Sequence, residues 1–196
     1  WYFLYKFGPA VPGFALFCFL AALIGGFFCD KLKKYRKMAI YAILVVAIGP
    51  GLICNAIFKE HWGRPRPYNV KELGGSAEYL PLFVKGPHVP NQSRIERINK
   101  KTGFFWELYK KYYPPQCKHN SFPSGHASFA FFLYVFFFIL RKTEHKRAVL
   151  WAVTAYGGLM GFGRNVQGGH FPSDILWAAG FVYLTALAFY YIMGMD

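Results

Sequence analysis

The sequence predicts an all-α fold, a polytopic bundle of transmembrane helices with a partly helical extracytoplasmic loop region. Three observations lead there. Apolar runs of about the length needed to cross a bilayer core as helices recur along the chain. Phe and Tyr, 22 and 14 in number, concentrate in those runs and at their ends, as in the aromatic belts of membrane helices. Charge lies between the runs rather than within them, and 55% of the 196 residues are hydrophobic, too many for an ordinary soluble domain. A net charge of +14 would suit nucleic acid in a soluble protein. Here the basic residues flank hydrophobic spans, which matches anionic lipid headgroups and argues against a nucleic-acid partner. One domain over 1–196 is expected, with 68–122 as a loop or interfacial insertion.

Residues 10–29 are the first predicted span. The turn after it carries Lys31, Lys33, Lys34, Arg36 and Lys37, and a short loop so basic is cytoplasmic by the positive-inside rule. Residues 38–58 return outward, with a bend expected at Gly49-Pro50-Gly51. Residues 59–122 are polar, aromatic and rich in Gly and Pro; the region is too long for a plain loop and should be partly structured and functional. Within it, Phe104 to Tyr113 mixes aromatic with basic residues, which fits an interfacial helix or equally a solvated helix packed on its own loop. Asn91-Gln92-Ser93 fits a glycosylation acceptor, a short and common pattern.

A third span runs inward from Ser124 to Leu140. Its purely apolar part, 127–140, is short for a bilayer, so the capping residues should sit near headgroup depth. Arg141 to Arg147 form a second basic, cytoplasmic turn, after which 148–163 cross outward and 174–193 cross back. Five spans result. As the chain opens on Trp1, a sixth, upstream helix is expected. Cys18, Cys29 and Cys54 lie in or beside apolar runs as small hydrophobes, and Cys117 lies in a polar loop with no second loop cysteine to pair with. No cysteine spacing fits a zinc site or a redox motif.

This orientation, set only by the two basic turns, brings three polar clusters to one outer face. The first is Lys59-Glu60-His61-Trp62-Gly63-Arg64-Pro65-Arg66-Pro67. A lone lysine there would snorkel at a helix end, whereas two arginines in a proline-stiffened stretch suit bidentate phosphate recognition. The second is Pro123-Ser124-Gly125-His126. Ser124 is a good N-cap, Gly125 lets backbone approach a ligand, and the unpaired amides of a helix start favour an anion. Capping chemistry alone explains Ser-Gly before a helix; His126 adds a proton donor near neutral pH. The third cluster runs from Gly163 to Asp174, with Pro172 suited to an early helical position. A helix starting near His170 would set the Asp174 carboxylate beside the imidazole, fixing one ring nitrogen and leaving the other as a nucleophile. Taken alone, a dipole-compensating Asp at a helix start explains that cluster too.

Together the clusters read Lys59-x6-Arg66-Pro67, Pro123-Ser124-Gly125-His126 and Arg164-x5-His170-x3-Asp174. In this order, between these spans, they resemble the type 2 phosphatidic acid phosphatase family, membrane enzymes that share a pocket with vanadium haloperoxidases. One departure is Gly163, where the third motif usually opens with Ser; it takes a hydroxyl from the expected phosphate cradle. The resemblance implies a helical membrane core and hydrolysis of a lipid phosphate without metal or other cofactor. His170 would attack phosphorus to form a phosphohistidine, Asp174 would orient and polarise it, and His126 would protonate the leaving oxygen and then activate water. Lys59, Arg66, Ser124, Gly125 and Arg164 would hold the phosphate oxygens. Arg64 and His61 are expected as headgroup contacts, and His88, His119 and His145 as surface or loop residues.

The family's bacterial members include lipid A 1-phosphatases, phosphatidylglycerophosphate phosphatases and undecaprenyl diphosphate phosphatases. The loop between the first two motifs holds nine Lys or Arg against four Glu, which suits a headgroup with more than one phosphate. The resulting expectation is a lipid A 1-phosphatase-like enzyme of the bacterial inner membrane with a periplasmic site. Its partners would be a lipid phosphate and the bilayer, with no protein partner implied. Readings from other classes are a phosphotransferase that passes the phosphate to a second lipid, and a lipid carrier or channel that keeps only the fold. The presence of all the core residues, His126, His170, Asp174 and the phosphate-binding cations, disfavours the carrier, and spans that tie the pocket to the membrane disfavour a haloperoxidase.

Overall fold

The computed structural model describes residues 6–86 and 120–195. The expectations for His88, Asn91, 104–113, Cys117, His119 and seven of the nine basic loop residues lie outside the described residues. The helices are α1 (Ala10–Phe28), α2 (Asp30–Lys33), α3 (Arg36–His61), α4 (Gly125–Phe131), α5 (Tyr134–Ile139), α6 (Lys146–Val166) and α7 (Pro172–Ile192), with 3₁₀ turns at Pro67–Asn69 and Lys71–Leu73. Among the described residues there is no strand, only an isolated bridge between Val70 and Ala77. The all-α membrane architecture read from the sequence is therefore the one observed.

Each predicted span corresponds to helix, with three differences. First, by length and composition only α1, α3 and α7 suffice to cross a membrane among the described residues. The α4–α5 stretch, Gly125–Ile139, is too short, and α6 is less apolar because Lys146, Arg147, Arg164 and Asn165 sit at its ends and four glycines within it. Second, the third span is two helices. Around Phe132 and Leu133 the backbone tightens to bonds from Leu133 N to Ala130 O (3.3 Å) and from Val135 N to Phe132 O (3.1 Å), the i→i−3 pattern of a 3₁₀ turn. Third, Gly49-Pro50-Gly51 lies in a widened π-helical segment, Ala47–Phe58. Pro50 has no N–H to continue an α-helical ladder. The Asn55 side chain donates to the Pro50 carbonyl at 2.6 Å and supports the wider turn.

The core follows helical periodicity. Ala178, Val182, Ala186 and Tyr190 recur every fourth residue down α7 and are buried against Tyr41, Ala42 and Val45 of α3 and Val135 and Phe138 of α5. The Tyr41 hydroxyl donates to the Ala186 carbonyl at 3.0 Å, satisfying the one polar atom of that ring. Outward-facing positions stay apolar: Phe14, Phe17, Ile24 and Phe28 on α1, Trp151 on α6, and Leu176, Leu184 and Ile192 on α7 are exposed. So large an apolar surface suits lipid and not water.

Gly157 and Gly161 let α6 approach its neighbours closely, the small-xxx-small device of membrane helices. A Cβ at 157 would stand 2.3 Å from the Phe131 ring, and one at 161 would stand 2.2 Å from Cγ2 of Ile175. Ile175 is β-branched and stiff, so it cannot swing aside. Gly161→Ala should destabilise the bundle by about 1–3 kcal/mol, the usual cost of overpacking. Thermal unfolding in detergent micelles checks this, and an unchanged melting temperature would contradict the close contact.

Ties between elements sort the bundle into two ends. At one end, Lys37 donates to the Gly194 carbonyl (2.6 Å) and Arg141 to the Tyr191 hydroxyl (3.1 Å), so both basic turns meet the end of α7. At the other end, Ser121 N bonds Arg64 O (3.0 Å), Tyr68 N bonds Gly168 O (3.1 Å) and Ser124 N bonds Asp174 O (3.2 Å). These bonds draw the end of α3, the start of α4, the end of α6 and the start of α7 into one place.

Candidate active site

The three motifs converge at that end. Ser124 is buried and extended, the N-cap of α4, and its hydroxyl accepts from Ala127 N at 3.4 Å, as the sequence led one to expect. Gly125 opens the helix. A side chain there would collide with Asn55 Oδ1 (2.7 Å) and Lys59 Nζ (2.8 Å), so its lack of one is what lets Lys59 lie on the helix start. Lys59, Asn55, Gly125 and His126 line a cavity of about 260 Å³ with Pro9 and Phe129. Arg66 donates from Nε to Asn120 Oδ1 at 3.0 Å, and Arg164 from Nη1 to Gln167 Oε1 at 2.5 Å. Lys59, Arg66 and Arg164 all act electrostatically on His126, and Lys59 and Arg66 also on His170. The positive charge of Lys59, Arg66 and Arg164 thus bears on His126 in one cup, whose cavity Lys59, Gly125 and His126 line, with His170 buried within electrostatic reach. His61 is exposed on the last turn of α3.

His170 is 1% exposed and lies just before α7, whose first residue is Pro172. Its Nδ1 is 2.6 Å from the main-chain carbonyl of Ser121, an acceptor that requires the proton on Nδ1 and leaves Nε2 with its lone pair. Asp174 is not the group that does this. Its nearer oxygen is 3.8 Å from Nδ1, too far for a hydrogen bond. The carboxylate is engaged elsewhere: Oδ1 accepts from Arg64 Nη1 at 2.5 Å, and Oδ2 accepts from the Ser121 hydroxyl (2.5 Å) and Phe171 N (2.9 Å). The carboxylate stands at ion-pair distance from the imidazole near the start of α7, but the short hydrogen bond on Nδ1 is made by the Ser121 carbonyl. Asp174 also caps that helix.

Arg64 is also corrected. It was expected to meet a headgroup, but it is 1% exposed. Beyond Asp174 it donates to Ser173 Oγ (2.9 Å) and, through Nε, to the Leu80 carbonyl (3.1 Å), and its guanidinium lies 4.2 Å from the centre of the Phe171 ring. A buried ion pair persists only when its remaining donors are also satisfied, and these contacts satisfy them.

Burial pushes the His170 imidazole down to about 4, with Lys59 and Arg66 pressing the same way. The Asp174 carboxylate opposes this and does not prevail. The ring is therefore neutral at physiological pH, as a nucleophile must be. Between about pH 4 and the ordinary imidazole value of about 6.5 the unfolded chain binds the extra proton and the folded one does not. Stability should consequently fall as pH drops through that window. Melting temperatures of the wild type and His170→Asn at pH 5 and 7 check the sign, since the variant should lose part of the slope.

Two residues at the site had not been singled out. Asn55 had a readable signal: it is the one amide in the run 38–58 and stands four residues before Lys59, on the same helix face. Ser121 had none, because its contribution to His170 is a main-chain carbonyl. Among the described residues, no group of three His, Cys, Asp or Glu has the arrangement of a metal cage.

Comparison with known proteins bears on this arrangement. No solved structure matches the chain. A lipid A 4'-phosphatase of Francisella tularensis subsp. novicida (strain U112) is 34% identical over 193 residues, covering 97% of this chain and 74% of that protein. Lipid A 4'-phosphatases of Rhizobium etli and Rhizobium leguminosarum are 33% and 31% identical over 85 and 77 residues. Those shorter matches take in 43% and 39% of this chain, and about a third of each relative. Residues 38–196, from the second predicted span to the end and through all three clusters, match the PAP2 superfamily. With its motifs gathered at one end of a membrane helical bundle, this chain belongs to the PAP2 superfamily and is a membrane phosphatase of that kind.

Proposed function

We propose that the chain removes a phosphate from lipid A through a covalent phosphohistidine on His170. The observation that carries this reading is the state of that imidazole: buried, neutral, and held at Nδ1 so that Nε2 is left for phosphorus. In the first step Nε2 attacks phosphorus and the bond to the lipid oxygen breaks. His126, held below the usual imidazole range by burial and by Arg164 and Lys59, takes up a proton as the anionic phosphate enters, gives it to the leaving oxygen, and then takes one from the water that cleaves the phosphorus–nitrogen bond. Lys59, Arg66, Arg164, Ser124 and the Gly125 amide stabilise the charge on the transferring phosphoryl group. Arg64, tied to Asp174, is left out of that set.

Between positions on lipid A, the relatives favour the 4'-phosphate over the 1-phosphate expected from the basic loop, because all three carry the 4' activity in their names. The test is a panel of lipids offered to the purified chain in micelles: lipid A labelled at 1 or 4', phosphatidylglycerophosphate and undecaprenyl diphosphate. Release of the 4' label first is expected. Release from the 1 position alone would return the earlier expectation, and labelled acceptor lipid in place of free phosphate would identify a phosphotransferase. Quenching in alkaline detergent should trap label on the protein in an acid-labile, base-stable form. With the charge in the cup supplied by side chains, chelation should leave the rate unchanged; strict dependence on an added divalent ion would refute the mechanism.

A further inference from the structure

Beside His126, the polar groups that line its cavity are the Lys59 ammonium, the start of α4 at Gly125 and the side chain of Asn55. The first two donate. Asn55, one turn before Lys59, could present either end of its amide, and Pro50 decides which. A carbonyl only accepts, so the Asn55 group 2.6 Å from the Pro50 carbonyl is the NH2, and Oδ1 is left facing the start of α4. The distances agree: a Cβ on Gly125 would stand 2.7 Å from Oδ1 and 3.6 Å from Cγ. The widened turn of α3 therefore has a second use, because it supplies the carbonyl that fixes a neutral acceptor in a cup otherwise suited to an anion.

An acceptor in such a place is unfavourable unless something donates to it. Among the described residues, the side-chain hydrogen bond of Asn55 is the one made through Nδ2. A donor for Oδ1 must then arrive with the reaction. The ester oxygen of a lipid phosphate carries carbon and no proton, so the first step brings none. Water brings two O–H groups, and His126 takes the proton of only one. We propose that Asn55 is a catalytic residue of the second step: its Oδ1 accepts from one O–H of the hydrolytic water while His126 takes the proton of the other, so that the water's lone pair is aimed at phosphorus. This rests on the phosphohistidine reading.

In that step the new phosphorus–oxygen bond forms as the bond from phosphorus to His170 Nε2 breaks, and the electron pair of the broken bond returns to Nε2. One water proton passes to His126. The other stays on its oxygen and leaves with inorganic phosphate, guided by Oδ1, which takes up no charge. The cavity, of about 260 Å³, has room for water once the lipid alcohol has gone. An amide suits this task because it is neutral. A carboxylate in its place would repel the phosphoryl group and draw off Lys59, whose Nζ lies 2.8 Å from the same point above Gly125. The arrangement also favours water over an alcohol as the group that receives the phosphoryl. An alcohol has a single O–H, and giving that proton to His126 leaves Oδ1 with nothing to accept.

The experiment uses the full chain in micelles with ³²P-labelled lipid A, quenched in alkaline detergent after short and long times. It compares the wild type with Asn55→Leu, which keeps the shape of the side chain. The variant should release lipid alcohol in its first turnover at a rate within about threefold of the wild type, and then release phosphate roughly 10–100-fold more slowly. Label should therefore build up on the variant toward one phosphate per chain, and none should appear on His170→Asn. With methanol added, Asn55→Leu should pass about tenfold more phosphate to methanol, relative to water, than the wild type does. Loss of the Pro50 bond alone would slow both steps together and leave that ratio unmoved, and either result overturns the proposal. Should Asn55→Leu fail to fold, Asn55→Ala reads the same step and the same ratio. If neither protein holds base-stable label at any quench time, the phosphohistidine reading falls and this proposal with it. Label on the wild type that Asn55→Leu does not increase removes Asn55 from the mechanism and leaves the nucleophile in place.

Discussion

His170→Ala protein, purified in micelles with its helical signature intact, should release phosphate at a rate lower by on the order of 10⁴-fold or more, the scale seen when an enzyme loses its covalent nucleophile. The substitution removes a buried ring, so a folded control matters. His170→Asn keeps much of the volume and should be equally inactive. Neither variant should trap labelled phosphate after alkaline quenching. Measuring turnover and trapping together separates the role of nucleophile from that of general base, because a base variant slows the second step and accumulates label where a nucleophile variant forms none. Substantial activity in either variant would end the covalent mechanism.

Lys59→Met should be the next most damaging change at the cup. Its ammonium lies against the first turn of α4, where a Cβ on Gly125 would be 2.8 Å from Nζ, and it shares the cavity with His126. A prearranged donor to a charge that grows in the transition state is worth about 10²–10³ in kcat. Methionine retains the apolar stem and removes only the charge, so the fold should hold. Loss confined to KM would mean that Lys59 holds the ground-state headgroup and not the transferring group, and steady-state kinetics on one lipid phosphate distinguishes the two.

Much of this was legible from residue order because the physics that writes membrane helices is local. Lys31 to Lys37 and Arg141 to Arg147 fixed which ends of the spans go together, and that alone put Lys59, Ser124, Arg164 and His170 at one end before any coordinates. The boundaries at Ser124 and Pro172 follow from capping and from a ring that suits a first turn, and both are where expected. What stayed hidden was long-range or main-chain. Arg64 and Arg66 are both followed by proline in sequence, yet one is buried under Phe171 and the other meets Asn120. Nothing in local pattern separates them. Nor can sequence mark a carbonyl, which every residue has, as the partner of a histidine, and so the nearest carboxylate was credited with what Ser121 does.

The widened turns of α3 bear on how this family member tolerates change. Each residue of an α-helix advances the side-chain direction by about 100°, so the heading of Lys59 depends on how many residues the preceding segment accommodates per turn. Were a residue lost from Ala47–Phe58 and the segment to relax into regular winding, everything after it would swivel, carrying the ammonium from the cavity to the lipid side and pulling Trp62 from the Leu82 carbonyl that its indole N–H meets. Length here is thus constrained as tightly as chemistry, and insertions or deletions in this apolar stretch should disable the protein even where every motif letter survives.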